Sequence, residues 1–387
     1  MNNKRTKPLI RLPLPFIIAV CALPVLLTGL FYALCGIPGI MGWASEYFSA
    51  PVRGFLGVLS SLYPFSMMEV LCVVAIVWLI YYIAKTVTVT VRRHGKLKIL
   101  GKRILPVVVA AFYLYALFCW LWNSGYHAPG FSERNGFIGG GVSVEDLTVV
   151  TKMFADKVNE LAPAMDRDAS GHYIGDRSAI FSASTTIYQN IAVRFPCLDG
   201  KLYEPKPMLF SWLMSRTGYT GIYFALTGES NINTQMPLFL MPATVAHELA
   251  HQRGVFAEDE ANFVGIAACA DSGDPVYEYA GYLSGLMYLI SALRPVDPAA
   301  SDDIAGSLCA EVNRDWQDNY DFWQSQKTVN TGIKFLDRIL TSMTETANNT
   351  VNSVYDGFLK SQNQVLGIQS YGACVDLLVE YYAPSTQ

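Results

Sequence analysis

Three transmembrane α-helices followed by a mostly α-helical (α+β) extracytoplasmic domain is the fold class the sequence predicts, from three observations. Over 387 residues the apolar fraction is 52% and the charged fraction 16%, above and below the norm for soluble globular chains. Three apolar runs, about 12–35, 62–84 and 104–122, approach or exceed the roughly 20 residues that a helix needs to cross a bilayer. Charge is also partitioned. Residues 1–123 hold twelve Lys and Arg against two acids, Glu46 and Glu69, while the remainder holds sixteen against thirty. The chain therefore divides into a membrane part, 1–123, and a second part, 124–387, long enough for one sizeable domain.

The first run follows Lys4, Arg5, Lys7 and Arg11, as a signal peptide would. Its apolar stretch is longer than a signal core and two further runs follow, so it reads as an anchor. Pro13, Pro15 and Pro24 make it a kinked or late-starting helix, which membranes tolerate. The stretch after it, charged only at Glu46 and Arg53, reads as a loop. Lys85, Arg92, Arg93, Lys96, Lys98, Lys102 and Arg103 crowd the connection between the second and third runs. Basic segments stay on the cytoplasmic side. The N-terminus is thus expected inside a cytoplasmic membrane and the large domain outside, with Trp120, Trp122 and Tyr126 in the interfacial aromatic belt. A lipid bilayer is the expected partner. Nucleic acid is not, because the acidic domain lacks the basic face a phosphate backbone requires. A transporter would need a charged path through the spans, where Glu69 is the only acid. Oligomeric state has no signature here.

Eight cysteines divide evenly. Cys21, Cys35, Cys72 and Cys119 fall in or beside the spans as small apolar residues. Cys197, Cys269, Cys309 and Cys374 lie in the outer domain, where an oxidising compartment permits disulfides. None has CxxC spacing, and the spacing defines no pairing.

Within the outer domain, Asn123 to Val142 is glycine-rich and reads as an entry loop. Ser143 caps a helix with Glu145 and Asp146 in its first turn and an apolar stripe of Leu147, Val150, Phe154, Val158 and Leu161. Another helix is expected over about Ser184 to Phe195. A strand is expected over Ile222 to Thr227, where aromatic and β-branched residues are bounded by glycines. Ile222, Tyr223 and Phe224 could form an edge that pairs with a peptide substrate, or equally a plain core strand. Tyr277 to Leu293 is apolar, but Glu278, two glycines and the Arg294-Pro295 end favour a buried helix over a fourth span. From Ser301 to Tyr382, helical spacing such as Phe335, Ile339 and Met343 predicts two or three amphipathic helices.

The chemistry gathers at His247-Glu248-Leu249-Ala250-His251, on a helix expected from about Pro242 to Arg253 and stopped by Gly254. Histidines four apart lie on one helix face, so both imidazoles can reach one metal ion. The glutamate beside them can take a proton from water. This is the HExxH arrangement of zinc hydrolases. Catalytic zinc takes three protein ligands. Among the other histidines, His94 is expected in the cytoplasm, His127 at the membrane edge and His172 far away, so a carboxylate is the expected third ligand. Glu258 and Glu260 both sit on the next helix. Glu258 is preferred because Asn262, four residues on, could hold a ligand from behind; Glu260 is the runner-up. Glu248 is the expected general base. Tyr279, Tyr282, Arg294 and Tyr371 are candidate oxyanion donors, with ordinary packing as the competing role of each.

HELAHQRG followed by EDEANF, with TGESNIN and three spans before it, resembles a bacterial membrane family, domain of unknown function 3810, over nearly the whole chain. The metal motif by itself is similar to the gluzincins, zinc peptidases whose HExxH is completed by a glutamate on a following helix. Glu258, Ala261 and Asn262 fit their pattern, although fewer residues follow His251 than gluzincins usually place there. The resemblance implies a zincin-like domain in which His247, His251 and Glu258 hold Zn2+ and Glu248 is the catalyst. The resemblance says little about substrate; with the expected topology, the leading expectation is a peptidase acting outside the membrane on a protein, a peptide or the peptide cross-links of the wall. The alternative expectation is a catalytically silent zincin-fold sensor or scaffold.

Overall fold

Each of the three apolar runs forms a long helix. In the computed structural model the described residues are 13–92, 96–139, 141–327 and 371–383, and, between 341 and 360, residues 341–342, 346, 349–350, 352–354, 356–358 and 360. Helix α1 (Leu14–Leu34) is followed by α2 (Pro38–Ala44) and α3 (Ala50–Ser61), then by α4 (Met67–Arg92) and α5 (Lys96–Phe118). Through a π-helical turn, Cys119–Asn123, α5 runs on into α6 (Ser124–Tyr126). Three helical stretches, Leu14–Leu34, Met67–Val91 and Leu100–Tyr126, are long and apolar enough to cross a membrane, with mean hydropathies of 2.4, 2.3 and 2.3. The chain is a multi-pass membrane protein. Polar side chains tie the spans together, as they do where lipid offers no hydrogen bonds. The Tyr113 hydroxyl donates to the Val20 carbonyl at 2.9 Å, the Trp120 indole to Leu27 at 3.0 Å, and the Tyr82 hydroxyl to Arg103 at 2.8 Å.

Two boundaries shift from the sequence reading. The second span begins at Met67, not near residue 62, because Ser66 accepts the Glu69 N–H at 3.1 Å and caps the helix there. The third extends to Tyr126. A larger correction concerns residues 36–61, read above as a loop. They are almost entirely helical, with a π-helical turn, Ser45–Ser49, joining α2 to α3. The buried face is built from small or polar residues, Ser45, Ser49, Arg53, Gly57 and Ser60, while Trp43, Tyr47, Phe55 and Leu59 face outward. A pattern sought as apolar-inside is inverted here: the large side chains are exposed, and the small ones let backbones approach.

The rest of the chain is mostly helical: α7 (Phe131–Arg134), α8 (Val144–Leu161), α9 (Arg177–Ala183), α10 (Gln189–Arg194), α11 (Ser211–Thr217), α12 (Met241–Gln252), α13 (Glu258–Ala270), α14 (Pro275–Leu293), α15 (Pro298–Gly306), α16 (Ala310–Gln326) and α17 (Tyr371–Tyr382). Ser143 caps α8, accepting the Asp146 N–H at 3.0 Å, and Leu147, Val150, Phe154 and Val158 are buried as the stripe predicts. Their partner is α14, capped by Asp274 and carrying the fully buried Tyr277 and Tyr279, which makes it a core helix. Of the helix expected over about 184–195 only α10 forms; α9 ends before it at Ala183, and residues 184–188 are a turn. Ser184 and Thr186 turn their hydroxyls back onto the Phe181 and Ala183 carbonyls at 2.5 and 2.9 Å, competing with the helical ladder. Phe335, Ile339 and Met343 lie outside the described residues, as does the side chain of Tyr371.

A small mixed sheet completes the architecture. Its order is β1 (Lys206–Pro207), β3 (Glu229–Ile232), β2 (Gly221–Phe224), with β1 parallel and β2 antiparallel to the central β3. The strand expected to reach Thr227 ends at Phe224, where the chain turns through Gly228 at φ 67°. Ser230 on β3 donates to the Glu248 carbonyl at 3.0 Å, which fixes the sheet against α12.

Candidate metal centre

α12 and α13 form a tight helical hairpin. Gly254 ends the first helix at φ 80°, a conformation that suits a residue without a β-carbon. Gly265 then lets the second helix touch the first: a β-carbon at that position would lie 2.8 Å from the His247 backbone nitrogen. Because the helices pack this closely, the short connection between His251 and Glu258 still returns the glutamate to the histidine face.

The result is one cluster. Glu258 Oε2 lies 3.2 Å from His247 Nε2 and 3.8 Å from His251 Nε2, and the three ligand atoms fall within 4.8 Å of one another. Ligands in tetrahedral array at zinc distances of about 2.0–2.2 Å stand about 3.4 Å apart, so two imidazoles and a carboxylate at this spacing suit such an ion. His251 Nδ1 meets the Val255 carbonyl at 2.7 Å. That bond places the proton on Nδ1 and leaves the Nε2 lone pair directed at the cluster.

The electrostatics agree. Burial would raise the Glu258 carboxyl, but the charge of His251 and hydrogen bonds from both histidines hold it well below the carboxylate range. Burial works against charge on His251, yet the Glu258 carboxylate pushes it up to about 9. The field that favours protons here also favours a divalent cation.

Glu248 stands beside the cluster, 4% exposed, with its carboxyl raised by burial and Oε2 lacking a hydrogen-bond partner among the described residues. Strand β2 crosses directly over it. A β-carbon at Gly221 would lie 2.5 Å from Glu248 Oε1. Ile222, Tyr223 and Phe224 follow on this edge strand and line the same cleft, as does Asn262 one turn after Glu258.

The other nominated residues lie elsewhere. Glu260 accepts from the Phe131 and Ser132 N–H groups, each at 2.8 Å, and from the Ser132 hydroxyl at 2.6 Å, so it caps α7. The Tyr279 hydroxyl donates to Asp315, the Tyr282 ring packs on Phe154, and Arg294 pairs with Asp302 at the surface. None of these three lines the cleft, whereas Tyr126, Tyr219 and Tyr288 do. His172 pairs with Asp318, and the His127 ring packs against Phe31.

Sequence reasoning missed the contribution of the membrane part. Arg53 from α3 is buried, donates to the His251 carbonyl at 3.3 Å and lies 4.8 Å from the Phe256 ring centroid. Trp122 stands edge-on to His251 at 5.4 Å. At the start of α4 the clamp is reciprocal. The Met68 N–H donates to Glu229 at 2.7 Å, while Glu69 accepts from Leu209 and Phe210 N–H at 2.9 and 2.8 Å. A lone arginine in a membrane-edge segment whose only other charge is Glu46 was the available signal.

A His-His-Glu set on a helical hairpin, with a buried glutamate beside it and span ends against it, defines a membrane-embedded site of zincin type. The family described as Protein of unknown function (DUF3810) matches residues 45–379, and the chain belongs to that family. The matched length takes in α3 and the second and third spans. No curated protein and no solved structure matches the chain.

Proposed function

We propose that this protein is a membrane-anchored, zinc-dependent metallopeptidase that hydrolyses peptide bonds of an extracytoplasmic substrate. On this reading the N-terminus is cytoplasmic, residues 1–123 anchor the site and residues 124–387 carry the peptidase domain. The observation that carries it is the convergence, in one cleft, of His247, His251 and Glu258 with the buried, underbonded carboxyl of Glu248. A zinc ion held by the three ligands would supply Lewis acidity and an acidified water. Glu248 takes a proton from the attacking water as its oxygen joins the carbonyl carbon, then hands that proton to the departing amine as the C–N bond breaks. His251 is kept in its ligating tautomer by Val255, and β2 offers backbone groups to an extended substrate.

The test is metal content of the purified full-length chain. Near-stoichiometric zinc is expected in the wild type and in Glu260→Ala, and loss of zinc in His251→Ala and Glu258→Ala. A folded wild type that takes up no metal would move the assignment to a silent scaffold. Gly221→Ala provides a second test. The added methyl displaces the Glu248 carboxyl, and a displacement of about 1 Å costs on the order of 10²-fold in turnover. Zinc content should not change.

A further inference from the structure

We propose, on the peptidase reading above, that the cleft takes an extended apolar stretch of a polypeptide held in the membrane, received from the bilayer surface and not from bulk water. The cleft has a volume of about 1480 Å³. One wall is made of span ends: Met68 in the first turn of α4, then Phe118, Trp122 and Tyr126 where the third span leaves the bilayer. The site therefore sits at the level of the lipid surface.

Packed against Met68 are Met208 and Met214, which with Leu213, on and just before α11, extend that wall. Outside them the rim is bare, with Leu209 75% and Trp212 51% exposed. Through Leu209 and Phe210, Glu69 clamps this rim to the first turn of α4. Apolar side chains held at that height continue the lipid-facing surface of the span, and aromatic residues collect at such interfaces.

The lining also limits the substrate chemistry. Among the described residues it contains no lysine, arginine or aspartate, and its only carboxylates are Glu248 and Glu258. Apart from the His247, Glu248, His251 and Glu258 cluster itself, a charged wall peptide would find no counter-ion among the described lining residues. Five methionines, Met68, Met208, Met214, Met236 and Met287, line it instead, and methionine adapts to apolar side chains of varied shape. Strand β2, paired only with β3 among the described residues, is an edge that can add an extended strand directly over Glu248.

The experiment uses full-length Glu248→Gln protein, zinc-loaded, in phosphatidylcholine vesicles. The probes are two fluorescent ten-residue peptides, each carrying one palmitoyl chain. One is built of Leu, Ala, Phe and Val, and the other alternates Lys and Asp. The apolar peptide is expected to bind at least tenfold more tightly than the charged one, and Leu213→Asp and Met214→Asp, each with zinc retained, should each remove that preference. Equal binding of the two peptides, or a preference that survives both variants, would overturn the proposal. So would equally tight binding of the apolar peptide without its palmitoyl chain. Cleavage by wild type is read separately. Preference without cleavage leaves the substrate class standing and removes the peptidase, whereas equal binding and cleavage of both peptides does the reverse.

Discussion

In the Glu248→Gln protein, peptide hydrolysis is expected to fall by about 10²- to 10⁴-fold, the usual contribution of a positioned general base. The amide matches the carboxylate in shape, so the helix and the three ligands should stay in place and zinc content should remain near one. What is lost is the ability to take a proton. Burial raises the Glu248 carboxyl above its ordinary value, which strengthens it as a base. A variant that kept more than a tenth of wild-type turnover on a fluorogenic peptide would remove Glu248 from the reaction. Parallel loss of zinc would instead make it part of the metal-binding set.

Asp315→Ala is expected to cost about 3–5 kcal/mol of stability, the range for breaking a buried ion pair by removing one partner. Asp315 is fully buried, meets Arg167 with two bonds of 2.8 Å and also accepts the Tyr279 hydroxyl. It thereby joins α16 and the residues around Arg167 to α14, the core helix packed on α12 and α13. Alanine would strand a half-buried guanidinium whose Nε already lacks a partner among the described residues. The denaturant midpoint of full-length protein in detergent reads the loss. A double replacement, Arg167→Met with Asp315→Leu, should recover most of it, because no buried charge is left unpaired. A single-mutant cost below about 1 kcal/mol would show that the pair is relieved by water.

The centre was legible because its signal is local. His247, Glu248 and His251 occupy one helical turn, and Glu258 lies a short connection away. Choosing between Glu258 and Glu260 needed more, since both lie in the first turn of α13 and the structure turns one to the histidines and the other to Phe131 and Ser132. The apolar spans and the stripe of α8 were equally open to reading, because their periodicity follows burial or lipid exposure along one element. What escaped was non-local or inverted. α2 and α3 carry their large side chains outward, so their helicity looked like a loop. Arg53 and Trp122 reach the metal helix across more than a hundred residues, a proximity no spacing rule reports.

The clamp between the start of α4 and the sheet has a preparative consequence. A fragment beginning at Ser124 would keep all three ligands and Glu248, and so would pass for a complete enzyme on paper. It would lack Arg53, Met68, Glu69, Phe118 and Trp122, exposing the underside of the His251 helix and the apolar cleft to water. Such a fragment should aggregate or bind metal without acting on anything. Expression trials are better spent on the whole chain in detergent or nanodiscs than on truncations sought for their solubility.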